Sequence, residues 1–109
     1  YSKMGRYSES LSNYEKALEI QRKSLPVDHP DLARTQNNIG WIYYEMGRYS
    51  ESLWNHEKAF EIQRKSLPPD HPDLARTHNN IGLAYSQMQG GNNWFILFWT
   101  RFKVICNHF

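Results

Sequence analysis

The chain has 109 residues and 13.0 kDa, enough for one small core and not for two. Hydrophobic residues make up 39% and charged residues 22%, which excludes a membrane-embedded chain and a charged disordered tail. The net charge of +2 comes entirely from Arg101 and Lys103, since residues 1–88 carry 11 basic and 11 acidic side chains; so balanced a body excludes a nucleic-acid face.

A repeat governs the rest. Met4, Met46 and Met88 recur at one fixed interval, and Tyr1, Tyr43 and Tyr85 recur at the same one. Residues 1–42 and 43–84 differ at only nine pairs: 2/44, 3/45, 12/54, 14/56, 18/60, 27/69, 36/78, 41/83 and 42/84. In chain order, Tyr1 aligns with a residue inside a short helix, so the chain is expected to be a piece of a longer array whose first hairpin has lost the front of its first helix. Gly5 is expected to cap that remnant in the left-handed conformation. A longer helix near 7–25 follows, with Leu11, Tyr14, Leu18 and Leu25 on one stripe and Ala17 within it for close approach. Pro30 then starts a shorter helix near 30–46, capped by Asp28 or His29, with Asp31 placed favourably in its first turn. Ile39, Gly40 and Tyr43 form its packed side. Gly47 is the next left-handed cap, and the pattern recurs as a long helix near 49–67 and a short one near 72–88. Its stripes are Leu53, His56, Phe60 and Leu67, then Ile81, Gly82 and Tyr85; Asp70 or His71 caps the second short helix. One hairpin cannot bury both stripes, so stacking is required.

From Gln89 the repeat stops. Phe95, Phe98, Phe102, Ile105 and Phe109 keep a helical stripe, and a shift by one repeat brings Leu53, His56, Phe60 and Leu67 onto Phe95, Phe98, Phe102 and Phe109. This phase predicts that the tail fills the place of a third long helix. Its aromatic and β-branched content also permits an extended strand, and Arg101 and Trp94 fall where Ala59 and Ser52 sit. An accident of gene structure without selected function is a further reading. The apolar run Trp94–Trp99 is too short for a membrane span.

The motif Asn-Asn-Ile-Gly-x-x-Tyr-x-x-Met-Gly-Arg-Tyr, followed by Tyr-Glu-Lys-Ala-Leu, resembles the tetratricopeptide repeat over residues 1–88. The 42-residue period and the joint Leu-Pro-x-Asp-His-Pro-Asp-Leu-Ala are similar to the kinesin light chain and nephrocystin-3 variety. Ser10 and Ser52 depart from the usual alanine, Gln36 and His78 from the usual aromatic, and His56 replaces Tyr14, which is expected to weaken individual contacts. The resemblance implies an all-α solenoid of helical hairpins in a right-handed superhelix. The divisions are a partial repeat 1–29, a repeat 30–71, the first helix of the next at 72–88, and the divergent tail 89–109.

The sequence carries no catalytic constellation. The five histidines have no metal-ligand spacing; His56-Glu57 has Phe60 where a zinc-binding helix needs histidine, and no metal or cofactor is expected. Gly90-Gly91 lacks the lysine of a phosphate loop. Cys106 is the lone cysteine, so no intrachain disulfide or thiolate cluster can form; with no leader segment or glycosylation acceptor, a reducing, cytoplasmic setting is expected. What remains is a surface. On the side of the short helix opposite Ile39 lie Arg34, Asn37, Trp41, Tyr44 and Glu45, with Asn38 on the flank. Their partners one repeat later are Arg76, Asn79, Leu83, Ser86 and Gln87, with Asn80 on the flank. The resemblance implies that the short helices line a concave groove for a peptide. Asn37 and Asn79 suit a ligand backbone, the arginines suit acidic side chains, and Trp41 and Tyr44 offer anchor area. The competing reading gives the asparagines to helix–helix contacts and pairs the arginines with Asp31 and Asp73. The expected function is a non-catalytic scaffold with a protein or peptide partner. Alternatives are the interaction part of a larger enzyme or nucleotide-binding fusion, and self-association through exposed hairpin ends.

Overall fold

A computed structural model of the protein describes residues 3–88. It contains four helices: α1 (Lys3–Ser24), α2 (Pro30–Glu45), α3 (Tyr49–Ser66) and α4 (Pro72–Met88). Consecutive helices pack on one another, and α4 also reaches back to α2. This is the all-α solenoid of helical hairpins, with no strand among the described residues. The tail 89–109, with the expected substitute for a third long helix and Cys106, lies outside the described residues.

The joints follow from their residues. Proline opens both short helices, where its missing N–H costs nothing. Of the two candidate caps at each joint, histidine is the one used. His29 Nδ1 accepts from the Asp31 amide at 3.1 Å, and His71 Nδ1 from the Asp73 amide at 3.0 Å. An imidazole nitrogen thus takes the role usually left to a serine or aspartate oxygen, and it requires Nδ1 to be unprotonated. At the other end of α2, Gly47 adopts φ +80°. The Arg48 amide then donates to the Tyr43 carbonyl at 2.9 Å and the Gly47 amide to the Tyr44 carbonyl at 3.0 Å, closing the helix in a Schellman motif.

Gly5 corrects the expectation. It lies inside α1, and Gly47 holds the positive φ found among the described residues. The chain continues as helix through Gly5.

The core runs between the helices. Leu18, Leu32 and Ile39 form a buried cluster, flanked by Leu11, Tyr14, Tyr43 and Ile62. Leu53, Ala59, Leu74 and Ala84 are also buried. Gly40 is required by close approach: a Cβ there would lie 2.8 Å from the His56 ring. Its repeat partner Gly82, expected on the same packed side, is exposed because no described helix lies against that side of α4.

Candidate groove between the short helices

The groove is built on α2 and α4. Arg34, Asn37, Asn38 and Trp41 from α2 face Arg76 and Asn80 from α4 across a cavity of about 270 Å³, whose base is closed by Gln63 and Leu67. Six of the twelve expected residues are therefore brought together. Asn79, Leu83, Ser86, Tyr44, Glu45 and Gln87 do not line this cavity. Of these, Tyr44 and Gln87 still tie the two helices, since Gln87 Nε2 donates to the Tyr44 hydroxyl at 3.3 Å. Glu45 points toward the first helix and accepts from the Tyr7 hydroxyl at 3.4 Å. Asn79, Leu83 and Ser86 are exposed.

Asn37 is held from both sides. Its Nδ2 donates to Thr77 Oγ1 at 2.9 Å, and its Oδ1 faces His56 Nδ1 at 2.8 Å. Since Oδ1 can only accept, His56 carries its proton on Nδ1. Thr77 Oγ1 in turn sits 2.6 Å from Gln63 Oε1 and 3.1 Å from the Asp73 carbonyl, and its single proton goes to the closer acceptor. A chain of bonds thus runs from α3 through α2 and α4 back to α3. The helix–helix role weighed for the asparagines describes Asn37, while Asn79 stands exposed. One Nδ2 proton and one Oδ1 lone pair of Asn37 lie beyond these two bonds.

His56 is the residue whose weight the sequence reading missed. Far from weakening its site, it is 1% exposed, seated on Gly40 and hydrogen-bonded. Burial pushes its pKa down to about 4, which keeps the ring neutral. The legible signal was its place among the nine positions that differ between repeats.

The arginines have the opposite character. Arg34 lies 3.8 Å from Asp31 and Arg76 3.9 Å from Asp73, with guanidinium side chains about three-quarters exposed. Such long, solvated pairs contribute little and leave both cations available. Trp41 and Tyr44 stack with ring centroids 5.3 Å apart and planes 9° from parallel, and Tyr49 meets Tyr44 edge-on at 5.3 Å. Trp41 is 44% exposed at the groove wall.

A second opening, a cleft of about 630 Å³, separates α1 from α3 and was not anticipated. Leu18, Gln36, Ile39, Tyr43 and Trp54 line it. Lys58 sits over the Trp54 ring at 5.1 Å and Arg48 over the Tyr43 ring at 4.9 Å. The Tyr43 hydroxyl has a raised pKa, from burial first and then from Glu15 and Glu51, partly offset by Arg48. Among the described residues, no three metal-binding side chains converge and no helix is long and apolar enough to cross a membrane.

No curated protein matches the sequence significantly. The family model for the tetratricopeptide repeat matches residues 1–65. With the helical hairpins, the Gly47 cap and the fixed repeat period, that match establishes that the chain belongs to the tetratricopeptide repeat family.

Proposed function

We propose that the chain is a non-catalytic scaffold that binds an extended, acidic peptide segment along the groove between α2 and α4. Tetratricopeptide repeats generally mediate protein–protein interaction, and the groove supplies the particular reading. The observation that carries it is the pairing of two exposed guanidinium groups, Arg34 and Arg76, at equivalent sites along one cavity whose wall is Trp41. Carboxylates on the ligand would meet charge-assisted donors, and an apolar side chain would meet indole surface. The joint sequence and the period favour the kinesin light chain and nephrocystin-3 variety, and the single cysteine favours a reducing, cytoplasmic setting.

The test is a peptide array probed with the whole chain and with Arg34→Glu/Arg76→Glu. Loss of the acidic spots with an unchanged helical circular dichroism spectrum is expected. Unchanged spots would refute the groove as the binding surface.

A further inference from the structure

The cleft between α1 and α3 has an apolar floor of Leu18 and Ile39 and a wall of Trp54, whose ring is half-exposed. Gln36 lies at its base, 2% exposed. Its Nε2 donates to Asn55 Oδ1 at 3.1 Å, while its Oε1 is buried with no hydrogen-bond partner. A third opening, of about 440 Å³, gives the contrast one repeat later. There Leu18 and Gln36 are replaced by Phe60 and His78, whose rings meet each other with centroids 4.4 Å apart. Five charged side chains also line the α1–α3 cleft. Glu19 pairs with Lys23 and Glu51 with Arg48, which leaves Glu15 and Arg22 without an ion-pair partner among the described residues. Glu15 stands at the Tyr43 end, where burial first and then Glu15 and Glu51 raise the pKa of the tyrosine hydroxyl. Arg22 lies two turns further along α1, about 10.5 Å at 1.5 Å per residue.

We infer that this cleft is a docking site for an amphipathic helix of a partner protein, one that presents a basic and an acidic side chain two turns apart with an aromatic side chain between them. The basic group faces Glu15 and the acidic group Arg22. Their spacing selects the conformation of the occupant. Two turns of a facing helix cover the same length and return to the same face. An extended strand covers it in about three residues, an odd number that puts the two side chains on opposite faces. The aromatic side chain midway lies against Leu18 and Trp54. A tryptophan there also brings a ring N–H to the depth of the Gln36 amide, where the unpartnered acceptor otherwise makes no bond.

The probe is a dye-labelled synthetic peptide of about 20 residues in an alanine-rich host, long enough to be helical in water. It carries tryptophan between a glutamate and a lysine two turns apart; one twin has glutamate at both places and the other lysine at both. Fluorescence anisotropy with the full chain is expected to show the mixed peptide binding about five-fold more tightly than either twin, because each wrong sign turns an attraction into a repulsion. Glu15→Lys is expected to move the preference to the glutamate twin, and Arg22→Glu to the lysine twin. Both residues are exposed on α1, so the helical circular dichroism spectrum should stay unchanged. Trp54→Ala is expected to weaken all three peptides about ten-fold, and Arg34→Glu/Arg76→Glu to leave their ranking as it was. Equal affinities, a preference that Glu15→Lys and Arg22→Glu do not move, or no binding by the folded wild-type chain would overturn the inference. So would a ranking lost in Arg34→Glu/Arg76→Glu, which would seat the helix in the α2–α4 groove instead.

Discussion

Helices α1 and α3 occupy equivalent places in successive repeats and share most of their residues, yet they are buried very differently. In α1 only Leu18 is buried; in α3 Ser52, Leu53, Asn55, His56, Ala59 and Gln63 all are. Five of those six have an identical residue in α1: Ser10, Leu11, Asn13, Ala17 and Gln21. What differs is the neighbourhood, for α3 is packed by both α2 and α4, while among the described residues α1 packs mainly against α2. Burial in a solenoid belongs to a residue's place in the stack as much as to its identity, because each unit contacts only its neighbours.

The sharpest way to break this comparison is to remove the same leucine from both helices. Leu53 is 3% exposed, whereas Leu11 is only half-buried at the edge of the core. Leu53→Ala is expected to cost about 3 kcal/mol through lost transfer energy and a cavity that cannot collapse, and Leu11→Ala about 1 kcal/mol. Urea unfolding of the two variants measures both. Equal losses would mean that α1 is packed as fully as α3.

Next in size is a pH effect confined to α3, since His56 has Tyr14 as its counterpart in α1. The folded ring titrates at about 4, below the ordinary 6.5, because it is buried. Above pH 6.5 both folded and unfolded rings are neutral, and this group leaves stability unchanged. Between 6.5 and 4 the unfolded chain takes up a proton that the folded one refuses, so stability falls as pH falls, by up to about 3 kcal/mol. His56→Gln is expected to remove that slope, whatever it does to the plateau. Denaturation curves collected across this window test it, and an unchanged slope in His56→Gln would assign the loss to other groups.

Gly40→Ala sharpens the same contrast from the facing helix. Its new methyl would meet the ring of a side chain with no free space, at an expected cost of about 2 kcal/mol despite alanine's better helix propensity. In a His56→Ala background the ring is gone and the substitution is expected to become neutral or favourable. A double-mutant cycle on urea midpoints reads this coupling.

Much of the fold was legible because hydrophobic period, proline, glycine and repeat length all speak at short range. Pro30, Pro72 and Gly47 marked helix ends that the structure places within a residue or two. Gly5 misled because it shares Met-Gly-Arg-Tyr with Gly47 yet lies inside α1, so four identical residues do not fix the backbone there. In the groove, Arg34, Asn37, Trp41 and Arg76 were legible from helical spacing, which says which way a side chain points from its own axis. Spacing does not say how two axes cross. That crossing brings Asn80 rather than Asn79 into the cavity, and it puts His56 under Asn37. The nine positions that break the repeat were the better guide: Leu18, Gln36, Trp41, Trp54, Phe60, Pro69 and His78 all line one of the three openings.

The smallest expected difference concerns two threonines that are identical in sequence and nearly so in surroundings. Thr35 Oγ1 donates to Gln21 Oε1 at 2.7 Å and lies 3.2 Å from the Asp31 carbonyl; Thr77 repeats this with Gln63 and Asp73. Thr77 alone also accepts from Asn37, a bond between α2 and α4 across the base of the groove. Valine keeps the shape and removes the hydroxyl. Thr35→Val strands a glutamine that is half-open to water, at about 0.5 kcal/mol, whereas Thr77→Val strands the buried Gln63 and frees Asn37, at about 1.5 kcal/mol. Because Asn37 would then keep only His56 as its partner, the Asn37 amide in Thr77→Val should exchange its environment on a timescale visible as broadened side-chain NH₂ resonances. In Thr35→Val those resonances should stay sharp, since Thr35 bonds to Gln21 and Asp31 and not to Asn37.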